Sequence, residues 1–239
     1  MINLIMQSQP TDETCGATCL HALYTYYGLS CTIQTLAQNI ERSASGGTLA
    51  PYLGTHALKT GFQASIYVNN LDLFDPTWFH QGEADGDFLL HKLSKSLTHL
   101  TNPGVLQENL AYQDFIQQGG RVCFRVLKAQ LLKAFFLQKR PILTGLSATY
   151  LYNSPRERFT DQGVALYDDI QGTPCGHFVV LCGYDNHNKL VVVADPHREN
   201  PITHNNYYKV PISRLINAIL LGVLTYDANL LIIEPQNNI

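Results

Sequence analysis

Gly176-His177-Phe178-Val179-Val180-Leu181-Cys182-Gly183-Tyr184 runs through Asp185-Asn186-His187-Asn188-Lys189 into Leu190-Val191-Val192-Val193-Ala194-Asp195-Pro196. Two apolar, β-branched runs around a polar turn read as an antiparallel hairpin. His177 opens the first strand and Asp195 closes the second. Each stands nine positions from Asn186, so antiparallel pairing sets the two ends side by side. An imidazole base and the carboxylate that orients it need that geometry.

Outward from the hairpin, Pro141 to Ala148 and Asn229 to Ile233 read as further strands, so the last hundred residues are expected to form a sheet. The first sixty residues read differently. Ala17, Leu20, Leu23, Tyr24 and Tyr27 recur at helical spacing behind Cys15, and Gly28 supplies a stop. Thr11, Asp12 and Thr14 offer oxygens to cap the start. Thr32 to Arg42 reads as a second helix, and Leu49 to Lys59 as a third that ends at Gly61. Phe62 to Val68 reads as a strand. Helices followed by an antiparallel sheet make an α+β fold.

Cys15 therefore belongs at a helix N-terminus, where main-chain N–H groups stabilise a thiolate. An activated thiol also needs a base. His177, fixed at the start of a buried strand, is the candidate, with Asp195 as its orienter. Cys19 lies one turn on from Cys15; a packed thiol is the ordinary reading for it, and a redox or metal role the sharper one. Cys175 stands two residues before His177, close enough for redox control, with a structural thiol as the ordinary reading.

These residues resemble cysteine peptidase family thirty-nine. The resemblance rests on Gln9-Pro10-Thr11-Asp12-Glu13-Thr14-Cys15-Gly16, Tyr26-Tyr27-Gly28, Gly176-His177-Phe178-Val179-Val180-Leu181, Gly183-Tyr184-Asp185 and Asp195-Pro196. The best-known members are papain-fold domains that trim double-glycine leaders, and this chain is similar to the stand-alone bacterial members. The resemblance implies a papain-like α+β fold, in which a helical lobe carries the catalytic helix against a twisted antiparallel sheet. It implies Cys15 as nucleophile, His177 as general base, Asp195 as orienter and Gln9 as side-chain donor to the oxyanion, with Gln7 as the competing glutamine. The implied activity is that of a cysteine peptidase or amidase on a peptide or protein tail. An acyltransferase or transpeptidase on the same fold, and an inactive peptide-binding domain, are the alternatives.

Residues 69–138 exceed what a compact core of this kind requires. They hold the one tryptophan, Trp78, an acidic glycine-rich stretch from Gly82 to Asp87, and helical patterns near Phe88–Leu100, Gln107–Ile116 and Lys128–Gln138, with a short strand at Arg121–Val126. The expectation is a single domain spanning 1–239, with 69–138 as a helical insertion or cap beside the cleft.

Composition excludes several other classes. With 45% hydrophobic and 15% charged residues, the 239-residue chain is globular and long enough to bury a core without staples. A net charge of −3 without clustered cations argues against nucleic-acid binding. The apolar stretches are too short to span a bilayer, and Met1 to Gln7 lacks a basic start, so no membrane association and a cytoplasmic address are expected. Six cysteines without a paired Cys-x-x-Cys motif read as free thiols, not as a zinc site. The chemistry implied needs no metal or organic cofactor. Oligomeric state has no sequence signal.

Overall fold

The computed structural model describes residues 1–43, 46–160, 165–226 and 228–236. Its centre is a seven-stranded sheet in the order β2-β1-β9-β3-β6-β7-β8. The strands are β1 (Phe62–Val68), β2 (Arg121–Cys123), β3 (Ile142–Ser147), β6 (Gly176–Asp185), β7 (Leu190–Ala194), β8 (Tyr207–Pro211) and β9 (Asn229–Pro235). Every neighbouring pair is antiparallel except β1–β2. A separate two-stranded ribbon, β4 (Glu157–Phe159) with β5 (Ala165–Tyr167), precedes β6. The expected α+β architecture is the one observed.

Period-2 alternation divides the buried side chains of the sheet between two layers. Phe178, Val180, Ala194, Ile66 and Leu231 join the core of the helical side, with Leu20, Leu23 and Leu53. Val179, Leu181, Val191, Val193 and Leu230 pack on the other side with Leu132, Leu215 and Ile219. Each such fully buried aliphatic side chain contributes about 1.5–3 kcal/mol. The first layer holds α1 (Cys15–Tyr26), α2 (Ile33–Asn39) and α3 (Ala50–Lys59). Gly28, at φ +84°, turns the chain out of α1, and the N–H of Leu29 donates to the Tyr24 carbonyl. Helix α2 is shorter than the sequence pattern: Ile40 takes extended dihedrals and is buried.

The long segment brings α4 (Gly86–Ser96), α5 (Pro103–Gln117) and α6 (Ala129–Leu137). Asp85 and Asn102 cap the first two through side-chain oxygens. Helix α5 lies so close to α3 that a Cβ on Gly54 would sit 2.5 Å from the Phe115 ring. The three helices coincide with the three helical patterns of the segment. Helix α5 packs on α3 and α4 on α5, β2 extends the sheet at the β1 edge, and α6 lies against β6 on the other face. The reason is apolar: Leu89, Leu93, Val105, Tyr112 and Phe115 share the core of the helical side.

The β4–β5 ribbon, the short α7 (Ala148–Tyr152), β8 and α8 (Ile212–Leu221) have no counterpart in the sequence reading. The N-terminal residues also run extended, with Ile2, Leu4 and Met6 buried. The N–H of Ile2 donates to the Cys182 carbonyl at 2.8 Å, and Tyr207 Oη bonds both Leu4 and Met6 main chain. This strap carries the chain from the sheet to the start of α1.

Candidate active site

The strap ends where Gln9 N–H donates to the Pro196 carbonyl at 2.9 Å, which brings it beside Asp195. Gln9 is half-buried and its Oε1 is enclosed, whereas Gln7 is exposed. Of the two glutamines, Gln9 is the one whose main chain is anchored next to Asp195.

Cys15 is the first residue of α1 and is buried. The expected side-chain cap is not formed. Thr14 Oγ1 instead donates to the Thr11 carbonyl and accepts from Thr11 N–H. The first-turn N–H groups therefore stay open toward the Cys15 side chain, an anion-favouring arrangement. Gly16 explains how the helix comes so near the sheet. A Cβ there would stand 2.5 Å from Thr48 Cγ2 and 3.3 Å from the Phe178 ring. One turn later, Cys19 Sγ donates to the Phe178 carbonyl at 3.2 Å and is fully buried. That is a packing role, and burial pushes its thiol well up.

His177 lies on β6, where Nε2 meets Asp195 Oδ1 at 2.8 Å. The pair is not directly opposite, as the count from Asn186 implied. The strand bulges between Leu181 and Gly183, so Val180 pairs with Ala194. Asp195, one residue further, falls across from Val179 and reaches His177 along the diagonal on the same face. With Nε2 engaged, Nδ1 is the nitrogen left for Cys15.

Asp195 is completely buried, and its carboxylate accepts four hydrogen bonds. Oδ1 accepts from His177 and from the N–H of His197 at 2.8 Å. Oδ2 accepts from the hydroxyls of Tyr152 at 2.7 Å and Tyr208 at 2.6 Å. Asn206 fixes the main chain, accepting from Asp195 N–H and donating its side-chain amide to the Asp195 carbonyl. Neither tyrosine was marked by any sequence motif.

Burial would raise the Asp195 pKa, but the His177 charge and the donors hold it below the usual carboxylate range. Burial would lower that of His177; Asp195, with Cys15, raises it to about 10. Burial would also raise the Cys15 thiol. The His177 hydrogen bond and charge, with the N–H groups of Phe178 and Gly16, bring it below its ordinary value. All three shifts favour one charge pattern: thiolate, imidazolium, carboxylate.

The Peptidase_C39 like family model matches residues 1–217. This chain belongs to the Peptidase_C39 like family. No curated protein matches it. Among solved structures it is similar to a C39-like peptidase from Bacillus anthracis, at 15% identity over 99% of this chain and 96% of that one, with a TM-score of 0.49. Xylellain, a cysteine protease from Xylella fastidiosa, is 15% identical over 98% and 84%, with a TM-score of 0.47. A double glycine motif protease from an AMS/PCAT transporter, solved with its leader peptide, is 14% identical over 98% and 94%, with a TM-score of 0.44. Among the described residues no helix is long and apolar enough to cross a membrane.

Proposed function

We propose that this member of a peptidase family hydrolyses a peptide or amide bond through Cys15, His177 and Asp195, with Gln9 at the oxyanion. The observation that carries the reading is the 2.8 Å His177–Asp195 contact, which leaves the other imidazole nitrogen for a thiol at a helix start. The Cys15 thiolate adds to the carbonyl carbon, and the oxygen takes the negative charge. The Gln9 amide and the Cys15 main-chain N–H are the donors for that oxyanion. His177 gives its proton to the departing amine, and a thioester forms on Cys15. Water, deprotonated by His177, then releases the acid and restores the thiol. Asp195 holds the imidazole in the orientation and tautomer that both steps require.

The substrate class is an extended peptide or protein tail, because a buried thiol and a buried imidazole admit a thin chain and not a folded surface. The chain acts as a single domain in which 69–138 is an insertion, with α4 and α5 on the helical lobe and α6 on the other face of the sheet. What supports this is that the segment shares both apolar clusters with the rest of the chain. The test is turnover of a mixed peptide library followed by mass spectrometry. Wild-type protein is expected to cleave or acylate, and folded Cys15→Ala to do neither. Equal turnover by Cys15→Ala would remove the reading.

A further inference from the structure

Asp195 has two carboxylate oxygens, and the proposed chemistry uses one of them. The other, Oδ2, accepts two phenolic hydroxyls at 2.7 and 2.6 Å from residues 43 positions before it and 13 after it. Tyr152 ends α7 and Tyr208 lies on β8. The site thus draws on two elements outside the helix and the hairpin that supply Cys15, His177 and Asp195. We propose that Tyr152 and Tyr208 are positioning residues that keep Asp195 ionised and fixed, and through it set the protonation of His177 and Cys15. This inference rests on the Cys15–His177–Asp195 reading above.

The physical argument starts from burial. A carboxylate without any exposed surface is costly unless its lone pairs are met. Here each oxygen accepts two donors, one of them on Oδ1 being His177 itself. Remove the tyrosine hydroxyls and Oδ2 loses both of its donors. The ionised form then loses stabilisation, and Asp195 takes up a proton at higher pH. A neutral Asp195 cannot hold an imidazolium, so the Cys15 thiolate loses its partner as well. Both phenols remain donors throughout, because burial first, then the Asp195 charge, pushes them well above the ordinary tyrosine range.

The groups that face Asp195 come from every element around it. They are Cys19 on α1, His177 on β6, Tyr152 on α7, Tyr208 on β8 and His197 in the loop after β7, with Cys15 reached through His177. The rings add a second form of positioning. Tyr152 stands 6.1 Å from His177 and 6.1 Å from His197, and the two histidines are 6.3 Å apart, tilted or edge-on. Tyr152 therefore touches the orienter by its hydroxyl and flanks the base by its ring. A phenylalanine keeps the ring and deletes only the hydroxyl, so substitution separates the two effects.

The experiment measures the rate of Cys15 alkylation by iodoacetamide against pH, by peptide mapping, in wild type and in Tyr152→Phe, Tyr208→Phe and the double variant. Tyr24→Phe serves as a control, because its buried hydroxyl bonds His56 and Thr60 far from Asp195. In the double variant the acid limb is expected to move up by about one pH unit, and the single variants by less. With a substrate in hand, kcat falls about 10–100-fold at neutral pH while KM holds. The control shifts neither. A wild-type Cys15 without enhanced alkylation at low pH would sink the underlying catalytic reading instead. If wild type shows the enhancement and the folded double variant keeps the same acid limb, the positioning role is overturned. Should the double variant not fold, the same comparison is read from the two single variants.

Discussion

Asp195 and Glu108 are both buried carboxyl groups, at 0% and 2% exposure, and they sit in opposite protonation states. Asp195, at the hairpin end, has four donors and an imidazolium beside it, and stays below the usual carboxylate range. Glu108, in α5 of the inserted segment, takes a hydrogen bond from Asn70 Nδ2 at 2.9 Å. Burial first, with the nearby Asp72 charge adding to it, pushes Glu108 up to about 8. Depth alone therefore does not decide charge; the donors that meet the oxygens do. The same contrast separates the two regions. The hairpin end is built to hold charge, and the insertion is built to hold apolar contacts with a neutral acid among them.

The sharpest way to break this contrast is to neutralise each acid in turn. Asp195→Asn keeps shape and loses charge, and is expected to lower kcat by about 10³–10⁴-fold with little change in KM. Steady-state kinetics on a cleaved peptide check this. A loss below about 10-fold would mean that His177 needs no anionic partner.

The glutamines offer the next largest effect. Gln9→Ala is expected to lower kcat by about 10²–10³-fold, and Gln7→Ala to leave it within about 2-fold. The reverse result would place the oxyanion donor two residues earlier and contradict the anchoring of Gln9 at Pro196.

Glu108→Gln is expected to leave kcat unchanged and to act on stability alone. The sign follows from linkage. The folded protein holds the Glu108 proton up to about 8, whereas the unfolded chain releases it near 4.5, so stability falls as pH rises between those values. Glutamine removes that decline, so the variant gains on the wild type by roughly 2–4 kcal/mol between pH 5 and pH 8. Denaturant melts at the two pH values measure it. Parallel curves would show that Glu108 finds a charge partner or water when folded.

How much of this was legible in the sequence differs by region. The hairpin, the Cys15 helix and its Gly28 stop follow from local pattern, because apolar periodicity and a positive-φ glycine act within a few residues. The meeting of His177 and Asp195 was legible too, though the bulge at Cys182 was not, since nothing in an apolar run marks which residue drops out of register. Tyr152 and Tyr208 were illegible for a different reason. The chain has 13 tyrosines, and only the tertiary approach of α7 and β8 to Asp195 distinguishes these two. The insertion's helices were visible from spacing. The seat of α5 on α3 and of α6 on β6 was not, because an amphipathic face states that it needs a partner without stating which one.

The central claim is that Cys15 is a thiolate paired with His177. Its most direct test is competitive alkylation of all six cysteines at pH near 6, resolved by peptide mapping, in wild type and His177→Ala. The account predicts that Cys15 labels well ahead of the more accessible Cys31 in wild type and loses that lead when the imidazole is removed. Cys15 labelling no faster than Cys31 in wild type, or equally fast without His177, would contradict it.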